Sequence, residues 1–331
     1  VADVPFVSVI MPVRNEGAFI EQSLGAVLAQ DWPSEHIEVL VVDGRSDDDT
    51  RARVARLAEL HPEATVEIVD NPRQIAATAL NLGIGKAKGE VIARVDGHCV
   101  IDRGYIRRGV DVLASDAGVG CVGGPLETVG EGPWAEAIAA AMSSRFGVGN
   151  STFRVGSTTA RDVDTVAFPV FRRAALEAAG PFDEELVRNQ DDEYSYRLRK
   201  LGWRVHLDPG LVARYFSRAR PGRLARQYFE YGFWKVRVLQ KHPAQMSLRQ
   251  FVPPTFVLAL LGGIALVPWS AAPLVLLVSA YLVGVGAAAA TCGRRPAVAA
   301  RLPLVFPLLH LAYGSGFCLG LVRFLGRWGS R

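Results

Sequence analysis

The chain has 331 residues, half of them hydrophobic, enough for one large core or two. Its 37 basic and 33 acidic residues leave a net charge of +4. Before position 250 the two signs are interleaved, which excludes a nucleic-acid footprint and assigns the residual charge to a membrane-facing bias. The cysteines Cys99, Cys121, Cys292 and Cys318 show no metal-type or redox spacing and read as reduced structural thiols. The first apolar run, residues 6–13, is too short for a leader and enters a charged turn, so the catalytic part is expected not to be secreted.

In chain order, residues 7–11 read as a strand that ends at Pro12-Val-Arg-Asn15-Glu16. Helical spacing follows over 18–30. A second strand over 37–43 ends in Asp43, and the turn over 44–50 offers helix caps. Residues 51–60 read as a helix, 66–69 as a third strand, and 75–88 as a helix that carries Asn81. The apolar run 91–95 then ends abruptly in Asp96-Gly97-His98. This β-α-β-α-β-α-β pattern predicts an α/β fold with a parallel sheet and right-handed crossovers. Polar residues fall at every strand end: Asn15 and Glu16, Asp43, Asn71 and Arg73, Asp96 and His98. In a parallel sheet those ends share one edge and converge on one cleft.

Asp96 and His98 are spaced to reach one divalent cation beside a phosphate; the plain alternative is an Asp-Gly turn. No Gly-x-Gly-x-x-Gly follows the first strand, and no Gly-Lys-Ser/Thr occurs with phosphate-loop spacing. Those absences argue against a dinucleotide dehydrogenase and a P-loop nucleotidase.

The second half reads as a helix over 105–114, a strand over 119–124, a mobile loop over 147–164, a strand over 165–171 and a helix over 173–179. Gln190-Asp191-Asp192-Glu193 opens a further helix, where acids also serve as caps favoured by the macrodipole. A strand over 203–207 and a basic, aromatic stretch over 214–242 complete the polar part. From Val252 onward there is no Asp, Glu or Lys. Apolar blocks over 252–269, 271–291 and 302–322 predict about three membrane helices, the first marginal in length. The loop 293–301 carries three arginines and no acid, which places it in the cytoplasm. A third crossing would put Arg327 and Arg331 on the far side, against that rule, unless one block is interfacial or re-entrant. The expected domains are therefore 1–245, with halves 1–102 and 103–245, and a membrane part over 252–325.

With these residues laid out, the chain resembles glycosyltransferase family 2, and within it the membrane-bound bacterial exopolysaccharide branch of the succinoglycan-pathway glucosyltransferase type. The carrying motifs are Val-Ser-Val-Ile-Met-Pro-Val-Arg-Asn-Glu (7–16), Val-Val-Asp-Gly-Arg-Ser-Asp-Asp-Asp-Thr (41–50) and Asn-Leu-Gly-Ile-Gly-Lys-Ala-Lys-Gly-Glu (81–90). Arg-Val-Asp-Gly-His (94–98) and Gln-Asp-Asp-Glu-Tyr-Ser-Tyr-Arg-Leu (190–198) complete them.

The resemblance implies a GT-A fold, Rossmann-like with a mostly parallel sheet, and an inverting, metal-dependent hexosyltransferase. It implies a nucleotide-diphosphate sugar donor, best a UDP-sugar, held by Pro12, Glu16, Asp43, Arg73, Asn81 and Asp96. Turn capping is the alternative for Asp43. Mn²⁺ or Mg²⁺ is implied at Asp96 and His98; the histidine stands where the family has a second acid. Asp191 matches the general base, preceded by Gln190 in place of a glutamate. Gln190, Asp192, Arg223, Gln227, Tyr231 and Trp234 are expected to form an acceptor site or lid. The implied acceptor is a polyprenyl-linked or growing glycan. The implied location is the cytoplasmic (inner) membrane, multi-pass, with the catalytic domain in the cytosol. The rivals are a polyprenyl-phosphate sugar synthase using Arg154, Arg161, Arg218 or Arg220, and an inactive assembly scaffold. A nucleotidyltransferase leaves the membrane blocks unexplained, and three blocks make a poor transporter pore.

Overall fold

A computed structural model describes residues 4–216, 220–293 and 295–328. The chain divides into two compact units, each built from separate segments: residues 1–127 with 156–215, and 128–155 with 216–331.

The first unit begins with β1 (Val7–Val13), α1 (Ile20–Leu28), β2 (Ile37–Asp43), α2 (Thr50–Leu60), β3 (Thr65–Asp70), α3 (Ala76–Lys86) and β4 (Val91–Arg94). Then come β5 (Cys99–Ile101), α4 (Tyr105–Ser115), β6 (Val119–Gly124) and β7 (Leu126–Val129), which runs to the boundary between the units. In the second unit α5 (Pro133–Met142), α6 (Arg145–Val148) and α7 (Thr152–Val155) follow. The chain returns to the first unit with β8 (Arg161–Asp162), β9 (Ala167–Arg172), α8 (Arg173–Ala179), α9 (Gln190–Lys200), β10 (Arg204–Leu207) and β11 (Ala213–Phe216).

The main sheet has the order β3-β2-β1-β4-β9-β6-β10-β8. β3, β2, β1 and β4 are mutually parallel, as the alternating elements predict, while β9 runs antiparallel between β4 and β6. Every residue of β2 is buried, which its apolar run requires of a central strand. Pro12 lies beyond the last β1–β4 pair, Ile10 with Arg94, so its missing N–H costs that ladder nothing. Strand order reverses between β1 and β4: β2 and β3 are added on one side of β1, β4 on the other. The carboxyl ends of β1 and β4 therefore flank the crevice where such sheets bind ligands.

The second unit adds α10 (Pro221–Lys241), α11 (Val252–Leu266), α12 (Ala272–Cys292), α13 (Pro296–Ala299) and α14 (Leu302–Arg323). Three stretches, Leu248–Leu266, Ala272–Cys292 and Pro296–Arg323, are long and apolar enough to cross a membrane. Their exposed side chains include Leu261, Ile264, Val275, Leu276, Val283 and Leu304; lipid is the solvent such surfaces need.

Three features depart from the sequence reading. Residues 147–164 are not one loop but hold the end of α6, then α7 and β8. The stretch 214–242 splits into the end of β11 and the 21-residue helix α10. Residues 128–155 and α10 cluster with the apolar helices, so the observed units do not follow a boundary at 245. The reason lies in sequence-distant pairs such as Glu136 with Arg295 and the Phe146 carbonyl with His310, which no local pattern announces.

Candidate active site

The first three loops at the carboxyl edge of the sheet each contain a non-glycine residue in the left-handed region: Asn15 (φ 56°), Arg45 (φ 55°) and Gln74 (φ 60°). Such conformations persist where surroundings impose them, and they cluster at functional edges. The first two loops are tied together. The Asn15 N–H donates to Ser46 Oγ (2.9 Å), and the Asp47 N–H donates to Asn15 Oδ1 (3.0 Å). The Glu16 N–H donates to Thr50 Oγ1 (2.9 Å).

Asp43 is buried at the end of β2. Its carboxylate accepts from Ser46 Oγ (2.5 Å), the Ser46 N–H (3.2 and 3.3 Å) and Arg51 Nη1 (3.1 Å). The turn-capping role is thus realised, whatever else Asp43 does.

Across the switch point, His98 Nδ1 lies 2.8 Å from Glu16 Oε1, and its ring meets the edge of Tyr215 at 5.0 Å. Glu16 orients the imidazole, the arrangement that commonly backs a metal-ligating histidine through its other nitrogen. Gly97 makes this approach possible, because a Cβ there would sit 2.9 Å from both Glu16 Cγ and Val13 Cγ1.

The centre of the site is a residue that pattern reasoning passed over. Arg94, the last residue of β4, has a side chain only 8% exposed. It donates through Nε and Nη2 to the two oxygens of Asp96 (2.8 and 3.2 Å) and through Nη1 to Asp191 Oδ1. Asp191 is 97 residues away in sequence, in the first turn of α9, whose preceding residue Asn189 is left-handed (φ 65°). One buried guanidinium so brings together the two acids that the motifs singled out. A buried charge survives when it is paired and hydrogen-bonded in this way. Burial raises the Asp191 pKa; Arg94 opposes that rise, and Asp96 and Asp192 add to it. The only signal in the sequence was a lone arginine inside an apolar strand.

Other candidates are placed elsewhere. Asn81 is a clamp: Oδ1 accepts the Phe182 N–H (2.7 Å), and Nδ2 donates to the Phe182 carbonyl (2.9 Å) and Glu184 Oε1 (3.0 Å). Arg73 Nη1 donates to the same Glu184 (2.5 Å). Together they fasten the segment before α9 to α3 and the loop after β3. Gln190 is buried and Asp192 half-buried on α9. Glu193 pairs with Arg197 in a helix-stabilising contact.

In the second unit, exposed Arg223 lies on α10, Gln227 Nε2 donates to Tyr231 Oη (2.9 Å), and Trp234 packs on Phe324 at 5.7 Å. The last contact makes Trp234 a packing residue of its own unit. Arg154 is on α7, Arg161 on β8, and Arg220 directly precedes α10. Arg218, Arg294 and Arg331 lie outside the described residues. Cys99 is buried and its thiol held well above the ordinary range by that burial, which suits inert packing.

Among the described residues no group of three or more His, Cys, Asp or Glu side chains is arranged to hold a metal. The donor chemistry present is one carboxylate, Asp96, and one carboxylate-backed imidazole, His98. That set fits a cation whose remaining ligands come from a diphosphate.

Comparison with known proteins agrees with this architecture. Residues 8–178, just over half of the chain, match the family described as Glycosyl transferase family 2. The chain is 31% identical over 328 residues to the succinoglycan biosynthesis protein ExoA of Rhizobium meliloti, covering 96% of each. It is 23% identical over 323 residues to a dolichyl N-acetyl-alpha-D-glucosaminyl phosphate 3-beta-D-2,3-diacetamido-2,3-dideoxy-beta-D-glucuronosyltransferase of Methanococcus voltae, covering 96% of this chain and 98% of that one. Among solved structures, the mannosyltransferase PcManGT of Pyrobaculum calidifontis in complex with GDP-Man and Mn²⁺ superposes with a TM-score of 0.60 at 24% identity. That alignment covers all of this chain and 89% of the other, and at such identity it speaks to the fold. The chain belongs to glycosyltransferase family 2 and is a glycosyltransferase of the GT-A fold.

Proposed function

We propose that this enzyme transfers a hexose, with inversion, from a nucleotide-diphosphate sugar to a lipid-linked or growing glycan at the cytoplasmic membrane. The observation that carries the reading is the Asp96–Arg94–Asp191 bridge at the sheet switch point. The names of the two curated relatives, one in succinoglycan biosynthesis and one acting on a dolichyl-linked sugar, support the acceptor class. Functionally, 1–102 forms the donor half and 103–245 the acceptor half, with the region 252–325 as anchor.

In this reading Asp191 accepts the proton of the acceptor hydroxyl as that oxygen attacks the anomeric carbon. The bond to the diphosphate breaks on the opposite face, which inverts the centre. A raised pKa makes Asp191 a better proton acceptor, and Arg94 keeps it ionised and aimed. Asp96 and His98 would hold a divalent cation, Mn²⁺ or Mg²⁺, whose charge when bound neutralises the departing diphosphate. Pro12, Glu16, Asp43 and Arg73 shape the nucleotide site, and Asn81 acts on it through the loop it clamps. Asp43 takes a pyrimidine N–H, as a uridine donor requires, by exchanging one contact with Ser46. Gln190 and Asp192 serve the acceptor, and the family resemblance assigns Arg223, Gln227, Tyr231 and Trp234 of α10 to an acceptor or lid role.

The test is donor binding by the detergent-solubilised protein, with UDP-, GDP- and dTDP-sugars screened by thermal shift with and without Mn²⁺. One nucleotide class is expected to stabilise the protein, and more strongly with the cation. Asp191→Asn is expected to retain that stabilisation and lose transfer. Folded protein with no response to any donor would favour a non-catalytic scaffold.

A further inference from the structure

Three apolar segments are long enough for three crossings, but contacts inside the second unit set the third apart from the first two. α11 and α12 form an antiparallel hairpin, fixed where Phe256 stacks on Tyr281 (centroids 4.4 Å apart) and where Gly263 lies against Leu274, 3.3 Å from a Cβ placed there. These pairs provide a ruler along the hairpin, on which Tyr281 stands level with Phe256.

α14 begins beside the end of α12. A Cβ on Gly293 would sit 2.6 Å from Ala299 Cβ and 2.8 Å from the Ala289 carbonyl, and Leu302 follows within one turn. Further along, His310 Nδ1 lies 2.9 Å from the Tyr281 hydroxyl, level with Phe256. Past that point a crossing helix would climb toward the hairpin tip near Trp269. Instead Phe317 meets Phe251 (5.8 Å), and Cys318 Sγ lies 3.9 Å from the Pro254 carbonyl. Gly314 likewise abuts Val257, whose Cγ2 would lie 2.7 Å from an added Cβ. From Leu302 to Cys318 the helix is about 24 Å long at 1.5 Å per residue. Its partners nevertheless stay in the first turns of α11 and the matching half of α12. α14 thus lies across the base of the hairpin.

A second observation is independent. α10 runs alongside α14 in the same direction, backbone against backbone. Gly232 abuts the Tyr313 carbonyl, Gly316 the Phe229 carbonyl, and Gly320 the Phe233 carbonyl. Beyond these, Phe233 packs on Phe324 (4.9 Å), Gln240 Nε2 donates to the Phe324 carbonyl (2.8 Å), and Arg237 Nη1 to the Arg327 carbonyl (3.4 Å). A spanning α14 would draw three turns of α10 into hydrocarbon with it. Those turns hold Glu230 and the buried Lys235 and Arg237, and Arg226, 83% exposed, stands one turn before them.

We propose that α14 does not cross the bilayer: the anchor is a two-span hairpin of α11 and α12, and α10 with α14 forms a platform in the lipid–water interface. The exposed stripe Leu304, Leu311, Leu319 and Val322 faces the acyl chains. Arg323 and Arg327, in a region without acids, meet anionic headgroups on the same side as Arg295 and Arg301. The positive-inside rule is then obeyed throughout.

The test uses the full chain in native membranes, in a Cys292→Ala, Cys318→Ala background. Ser247→Cys, Ser270→Cys and Gly326→Cys are probed with a membrane-impermeant maleimide from either face; all three positions are exposed, and Gly326 has open space around a Cβ. Ser247→Cys and Gly326→Cys are expected to label from one face and Ser270→Cys from the other. Labelling of Gly326→Cys together with Ser270→Cys would overturn the proposal. In liposomes, spin labels at Leu304, Leu311 and Leu319 are expected to report one depth. A steady change of about 22 Å from the first to the last, the rise of a perpendicular helix, would overturn it equally.

Discussion

Arg94 joins two acids that a sequence motif can name but cannot place. Its geometry makes a prediction that separates positioning from simple stability. Arg94→Lys keeps the charge, but one ammonium cannot match a fork that grips both Asp96 oxygens and reaches Asp191. Activity is expected to fall by at least tenfold, in kcat through Asp191 and in metal-dependent donor affinity through Asp96. Arg94→Met leaves the two carboxylates, 20% and 43% exposed, without their partner and should lower stability in an unfolding titration. The pH dependence has a definite sign. Burial raises the Asp191 pKa, and Arg94 is the influence that lowers it. A base must be ionised to act, so rate is lost as pH falls through that pKa. Removing Arg94 raises it further, and the acid limb of kcat should move to higher pH. An acid limb unmoved in Arg94→Met would mean that Asp191 is not the titrating base. His98 makes a companion case: His98→Ala is expected to weaken the Mn²⁺-dependent part of donor stabilisation and leave the metal-free part intact. An unchanged metal response would remove His98 from the coordination shell.

The packing of α10 against α14 rests on glycines, because at Gly232 and Gly316 the partner backbone occupies the space a side chain would need. Gly316→Leu is therefore expected to push the helices apart at a cost of at least 1–3 kcal/mol, roughly the penalty of overpacking. Thermal unfolding of the detergent-solubilised protein checks it, with Gly286→Leu as control, since nothing lies within 4 Å of a Cβ there. Elements such as these show what was legible beforehand. The parallel half was, because β1, β2 and β4 are apolar runs ending in polar groups, a local pattern with a local cause. β5, β8 and β11 were not: they have three, two and four residues, and β5 and β11 exist through pairings such as Tyr215 with Cys99. Asp43, Asp96, His98 and Asp191 were legible as strand-end or helix-start polar residues. The bond from Arg94 to Asp191 was not, since it depends on the fold bringing the first turn of α9 to the end of β4 across 97 residues.

At the scale of the molecule, the boundary suggested by composition and the boundary set by packing differ. Charge density falls after about position 249, which suggests a catalytic piece ending at 245 and separable from its anchor. Packing assigns α10 and residues 128–155 to the unit that holds the apolar helices. In that unit Val236, Phe317 and Phe324 form one cluster, with Phe233, Trp234 and Tyr313 packed against it. Glu136 pairs with Arg295, and Trp134 lies beneath Arg301. Cutting the chain after 245 would strip α10 of the surface that covers Phe229, Gly232, Phe233 and Val236, and α5 of its charged partners. An apolar face left in water without its partner drives association. A fragment of residues 1–245 is therefore expected to aggregate or require detergent, as read by size-exclusion chromatography with light scattering. The full chain in detergent should run as a defined species. A monodisperse, detergent-free 1–245 fragment that still binds donor would show instead that the α10 face is dispensable. The catalytic chemistry would then be separable from the membrane after all.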